Sequence, residues 1–570
     1  MLSFAVYDSH GPAGQLGLDH AYLFGPDEVP VPAEIAFVNG VVRCDKPSAD
    51  AAGLALQMRV DLSGTPLGSL MLRTCLLPDR EEPYLLPLEL ARHRIMLVLN
   101  KLEEWALFDL PADHPVLVQL DQARAEFTAA LVALCHRSEV NGVSAPDTAS
   151  LLEANAAATR ALALSLDASE RLSLLHASES LKQRLDGSLY ADAQERSDSV
   201  TADRVMPDNA VKSPDSVGVV LPAPPLIGCA INPAVFSEPL TRAATAVCDF
   251  VTMPMRWMDM EPTEGKYSFA KTDKWIEWAV RQAKLPVVAG PLIDFREICV
   301  PEWLYIWEHD YETLRELVYE HIKTIVTRYR RTVTRWTVCS GLHVNESFAL
   351  SVEKMIDLTR IAALLVKKLH PAARVQLELA QPWGEYFARN KRSMPPRMYA
   401  DMISQAGIAL DAYALRIQMG QPGHGRATRD LMAISDLLDR YAELDKPIAV
   451  TAAGAPSQLV IVQPPPPRAN DDAPEPPPAP TGPPPDPGYW RAPWSPESQA
   501  SWAKQALEVI AGKPYVQSVC WQDLYDFPAA DMPAGGLLTE SGTPKPAAAA
   551  IADLRRSILA QRAAVAARHT

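Results

Sequence analysis

From Leu226 onward the chain alternates short β-branched runs with longer amphipathic ones, and this alternation constrains the fold more than any other feature. The runs Leu226–Asn232, Phe250–Trp257, Pro286–Ile293, Thr334–Gly341, Arg374–Gln381, Asp411–Gly420, Pro447–Gly454 and Val516–Trp521 are apolar and bounded by Gly, Pro or polar residues. That is the pattern of short strands buried on both faces. Between them, Lys271–Lys284, Tyr311–Arg330, Val352–Leu369, Pro396–Gly407 and Thr428–Asp445 carry apolar residues three and four apart, as helices do. Parallel strands need crossover connections of this kind, so the repeats predict an α/β fold closed as a (β/α)8 TIM barrel over residues 225–560.

The first half of the chain reads differently. Residues 1–110 hold short apolar stretches such as Glu34–Val42 and Gly53–Leu62, broken by Gly, Pro, Asp and Asn, which predicts a small β-sandwich-like module. Beside a barrel such a module is often carbohydrate-binding; the alternative is a structural β domain. Helical periodicity sets in near His93 and dominates 111–191, a region suited to joining two domains or to forming an oligomer contact. Residues 192–224 are polar and then Pro-rich, a linker composition. A second Pro-dense stretch, 463–496, follows the seventh strand and is expected on the barrel's C-terminal face, where Trp490 and Trp494 could drape over a cleft.

Bulk charge narrows the partners. A net charge of −15 disfavours nucleic acid and anionic membrane, both of which attract basic surfaces. No uncharged run approaches the length of a membrane span, and the N-terminus lacks the basic flank of a signal peptide, so a cytoplasmic location is expected. The eight cysteines are scattered singly without a CxxC pair, which indicates neither a metal site nor a disulfide framework, and no motif calls for a cofactor.

The stretch His321–Glu346 carries a more specific signal. A helix with His321-Ile322 and a terminal Arg328-Tyr329 leads into a strand containing Trp336, and Pro301-x-Trp303 precedes it. Trp257, Glu261-Pro262, Gly265, Tyr267-Ser268-Phe269 and Asp273 form a second run, and Gly536-Leu537-Leu538 with Pro544-Lys545-Pro546 a third. In these patterns the chain resembles glycoside hydrolase family 10, the endo-1,4-beta-xylanase type, over about residues 226–556. The resemblance implies a barrel enzyme that cleaves xylan with two carboxylates.

At the positions where the family carries those carboxylates, this chain does not. The acid/base position falls on Gly341 and the nucleophile position on Ala452. Retaining hydrolysis needs one carboxyl to attack the anomeric carbon and another to protonate the leaving oxygen. The residues matching the family's sugar-contacting set have changed as well: Thr252, Met253 and Arg256 on the second strand, Pro291 and its neighbours on the third, Arg416 and Gln418 on the sixth.

Other acids near strand ends are Asp259, Asp294, Glu297, Glu346, Glu385, Asp523 and Asp526; of these Glu346 is the candidate substitute acid, five residues beyond Gly341. Acids at loop ends are ordinarily solvated or cap helices. Glu378 alternates with Val375, Leu377 and Leu379 and should point into the barrel, paired with Arg416 or Arg256. A ligand groove is expected along Arg256, Trp257, Asp294, Arg296, His343, Trp383, Gln418 and Trp521, with a xylan-like carbohydrate as the implied ligand. Three functions compete: a pseudo-glycosidase that binds carbohydrate or serves as a scaffold, an active hydrolase with relocated carboxylates, and an assembly protein oligomerising through 93–191.

Overall fold

Eight parallel strands close on themselves: Leu226–Ala230, Phe250–Met253, Val287–Ala289, Val333–Ser340, Arg374–Leu379, Ala412–Gln418, Ile448–Gly454 and Val516–Trp521. The last pairs with the first through Ile227↔Val519, and the third with the fourth through Val287↔Val333. This is the expected (β/α)8 barrel. The protein is seen here as a computed structural model, which describes residues 1–135, 137–140, 143–146, 148–189, 224–423, 425–460 and 485–569.

Most strands end a few residues short of the apolar runs that signalled them, because the tails peel away into loops at the barrel mouth. The third is interrupted outright. Gly290 has φ +121° beside the Thr337 carbonyl, and Pro291 offers no N–H to the ladder, so pairing resumes only at Ile293–Asp294. Helix boundaries follow local chemistry. Asp310, Ser351 and Asp430 accept the backbone N–H of Thr313, Lys354 and Ala433 and start the helices Tyr311–Tyr329, Val352–Leu369 and Leu431–Ala442. A capping box at Ser495 and Ser498 starts Pro496–Gly512.

The N-terminal half contains two sheets. One orders Glu34–Val38, Val41–Asp45, Leu2–Ala5 and Tyr84–Leu85. The other orders Tyr489–Trp490, Thr65–Arg73, Gly53–Leu62, Tyr22–Phe24 and Pro30–Val31. The β-rich stretch expected over 1–110 gives way to helix already at Leu86, with Pro87 in the first turn, where its missing N–H is harmless. Helices Leu86–Glu104, Pro115–Cys135 and Thr148–Asp186 follow, with a small hairpin, Arg137–Val140 against Val143–Pro146, that the helical pattern did not suggest.

These helices bind the sheets to the barrel rather than bridging two separate bodies. Arg94 forms a bidentate pair with Asp430 at 2.9 and 2.8 Å, and Arg184 donates to the carbonyls of Ala511, Lys513 and Val516. Buried Glu170 accepts from Trp490 Nε1, Arg491 and the Leu431 N–H.

The Pro-rich insertion also departs from expectation where it is described. Trp490 pairs with Gly68 at the edge of the N-terminal sheet and is 1% exposed, and Trp494 donates to the Gly488 carbonyl, so neither drapes over the mouth. Residues 461–484 of that insertion, and the expected linker up to residue 223, lie outside the described residues. Among the described residues no helix is long and apolar enough to cross a membrane.

Candidate functional site at the barrel mouth

The loops beyond the strand C-termini enclose a cleft of about 860 Å³, including its open mouth. A second lobe of about 610 Å³ adjoins it, lined by Gly341, Glu346, Ala380 and Gln381; the two share Arg296, Arg416 and Gln418.

A charge network fills the floor between the lobes. Glu378, on the fifth strand, is 2% exposed and accepts from Ser340 Oγ at 2.6 Å, from Arg416 at 3.2 Å and from the Thr451 hydroxyl. This is the inward acid with an arginine partner that strand alternation implied. Arg416 also donates to Asp531 at 2.7 Å, as do Arg296 and Arg426 at the same distance. Arg296 clamps Asp294 as well, at 2.6 to 3.0 Å. Burial pushes the Asp531 carboxyl up, but the three arginines outweigh it and hold it well below the usual carboxylate range. Asp294 is likewise held down, by Arg296 against the effect of burial. Arg256 pairs with Asp259 at 2.6 Å, and Gln418 donates to Gln522 at 2.6 Å.

Of the residues expected along the groove, Arg256, Asp294, Arg296 and Gln418 line this cleft. The other four face elsewhere. Trp257 is 3% exposed, stacks on His321 at 4.0 Å and donates to Glu261 at 2.8 Å. Trp521 is 1% exposed, edge-on to Trp502, and donates to the Gly535 carbonyl. Trp383 lies beneath the Arg429 guanidinium at 4.0 Å. His343 is fully buried, stacked on Tyr399 and hydrogen-bonded to the Ala380 carbonyl at 3.0 Å. The expectation of indole faces along a groove is therefore corrected: large flat side chains at strand ends were drawn into the core, where burying them is most favourable.

Glu346 sits exposed on the rim of the second lobe. Gly341 has φ +63°, and Ala452 is 4% exposed at the end of the seventh strand. Glu385 pairs with Arg429 and accepts the Gly425 N–H; Asp526 pairs with Lys545; Glu297 is exposed on a one-turn helix. Asp523 is different: it lines the cleft, is 8% exposed and has no cation partner within salt-bridge reach. Sequence reading missed Asp531, Arg426, Asn232 and Phe527, which belong to irregular loops where no periodicity indicates direction. Among the described residues no group of three or more His, Cys, Asp or Glu side chains is placed to hold a metal ion.

The motif residues shared with the resembled family cluster away from the mouth. Glu261 accepts from Trp257 and the Gly265 N–H, Trp303 donates to its carbonyl, and His321 packs against Trp257. Tyr329 and Arg328 hold Asp273. These are framework contacts.

Residues 222–359 match the model of Glycosyl hydrolase family 10. The curated protein Endo-1,4-beta-xylanase 2 of Aureobasidium pullulans is 21% identical over 208 residues, 35% of this chain; the chain spans 55%, about half, of that relative's length. Among solved structures, xylanase 10B from Thermotoga petrophila RKU-1 in complex with xylobiose is 18% identical, with 58% of this chain and 94% of that chain covered and a TM-score of 0.42. Native xylanase 10B from Thermotoga maritima is similar at 18% identity, 58% and 95% coverage and a TM-score of 0.42. With its eight closed parallel strands, the matched family segment and the motif run from Trp257 to Asp273, the second half of this chain is a glycoside hydrolase family 10-like barrel.

Proposed function

We propose that this protein is a non-hydrolytic member of that lineage, a pseudo-glycosidase that holds carbohydrate at the barrel mouth without cleaving it. One observation carries the reading. The positions of the catalytic pair hold Gly341 and Ala452, while the carboxylates that do line the mouth are engaged, Glu378 by Ser340, Thr451 and Arg416, Asp294 and Asp531 by arginines. An attacking or proton-accepting carboxylate must be free to change its bonding during the reaction, and these are not. Asp523 supplies one acid without a free partner to act as base or nucleophile. The family match and the fungal relative named as an endo-1,4-beta-xylanase support a xylan-like ligand class.

The helical region around 93–191 acts in this reading as internal framework, since two of its helices are taken up with the barrel. Its helix Pro115–Cys135 keeps Val118 and Val132 exposed for any contact between copies. Eight free thiols, six of them buried, fit a reducing compartment such as the cytoplasm.

The test is reducing-sugar release from xylan and turnover of an aryl xylobioside, alongside Glu346→Ala. We expect neither protein to exceed background. Wild-type turnover that vanishes in Glu346→Ala would identify a relocated acid and overturn the proposal.

A further inference from the structure

We propose that Asn232, Thr252 and Asp523 form a binding site for a neutral, hydroxyl-bearing ligand. This rests on reading the mouth as a carbohydrate cleft, and it names the groups and the ligand class.

The three residues belong to neighbouring strands. The first strand pairs with the second through Cys229↔Val251 and with the eighth through Cys229↔Trp521. Thr252 lies within the second strand, and Asn232 and Asp523 stand two residues beyond the ends of the first and eighth. Each is 8% exposed, and all three line the larger cleft.

Each also keeps hydrogen-bonding capacity that no described protein atom takes up. Asn232 Oδ1 accepts from the Ala234 N–H at 2.8 Å, while its amide Nδ2 has no acceptor. Thr252 Oγ1 is met only by the Cys520 thiol at 3.3 Å. Asp523 receives one long contact, 3.4 Å from Gln522 Nε2. Buried polar groups left unpaired are costly, and three of them converging on one cavity mark a place where a ligand supplies the missing partners.

Charge selects the ligand. The cleft's arginines are already matched, Arg296, Arg416 and Arg426 by Asp531 and Arg256 by Asp259, so an anion would find no free cation. Burial pushes the Asp523 carboxyl well above the carboxylate range, and the Asp531 charge beside it adds to the effect. A protonated carboxyl both donates and accepts, as a hydroxyl partner requires. The half-buried ring of Phe527 provides an apolar face in the same cleft.

The experiment is a ligand-observed NMR titration of the full chain with xylobiose, cellobiose and D-glucuronate, repeated on Asn232→Ala, Thr252→Val, Asp523→Ala and Asp523→Asn. We expect a neutral disaccharide to bind, and Asn232→Ala and Asp523→Ala to weaken it about tenfold. Asp523→Asn, which keeps a donor and an acceptor, should stay within about threefold. Its melting temperature should hold or rise, because replacing an unpartnered binding acid relieves strain, whereas a structural acid would lose stability. If a disaccharide binds but ignores all four changes, this site is wrong and the carbohydrate cleft stands. Glucuronate binding more tightly than either disaccharide overturns the neutral-ligand assignment. No disaccharide binding at roughly 10 mM overturns both readings.

Discussion

Gly341 and Ala452 differ in how far each is from being restored to a carboxylate. A Cβ added at Gly341 would approach only Ala380, at 3.5 Å, so space exists, but φ +63° is a conformation that a glutamate adopts at a cost. The paired variant Gly341→Glu plus Ala452→Glu should lose about 1 kcal/mol of stability from that backbone strain and gain no measurable xylan hydrolysis. The neighbours that would orient the acids are now Ser340, bonded to Glu378, and Arg416, bonded to Asp531. Xylan assays with urea denaturation of the same sample check both halves; turnover above wild type would show the loss to be recent and local. His343 offers a second residue-scale prediction. Burial pushes its pKa down to about 4, so the unfolded chain binds a proton between about pH 6.5 and pH 4 that the folded chain refuses. Its stabilising contribution is present above pH 6.5 and lost as pH falls through that window, about 2 kcal/mol between pH 7 and pH 5. Denaturation at the two pH values should show this slope, and His343→Gln should lack it.

Single elements show how helices and sheets were joined. Asp430 does two things at once: it caps the helix Leu431–Ala442 and receives Arg94 from the helix Leu86–Glu104. The Arg94 and Asp430 side chains are 5% and 0% exposed, so Arg94→Ala strands a carboxylate without water or cation. We expect a loss of about 3 kcal/mol, read from the shift in urea midpoint at constant slope. A loss under about 1 kcal/mol would show that water reaches Asp430 and that the pair adds little. At this scale the sequence was informative wherever periodicity was strong. Val352–Leu369 and Val516–Trp521 run exactly between the residues that the apolar pattern marked, whereas Pro286–Ile293 breaks at Gly290-Pro291 because the ladder there lacks an N–H.

The whole molecule is a barrel with an N-terminal module stitched into it. The strand Tyr489–Trp490, from the loop region after the seventh barrel strand, completes the five-stranded N-terminal sheet, and Glu170 and Arg184 reach from the long helix to barrel loops. We predict a single cooperative unfolding transition for the full chain, and no native-like melt for residues 225–560 expressed alone. Thermal melts by circular dichroism check this; a fragment melting cooperatively within about 5 °C of the full chain would show that the barrel is self-sufficient. By itself the sequence determined the barrel, because eight alternations of buried strand and amphipathic helix leave one economical closure, and it determined the missing carboxylates, because those are residue identities. It also marked Glu378 as an inward acid needing a cation. Tertiary structure alone decided what fills the mouth. The loop that brings Asp531 under three arginines has no periodicity, the tryptophans turned inward because a large apolar ring is more stable buried than exposed along a rim, and Asn232, Thr252 and Asp523, which lie far apart in sequence, became neighbours only when the first, second and eighth strands closed side by side.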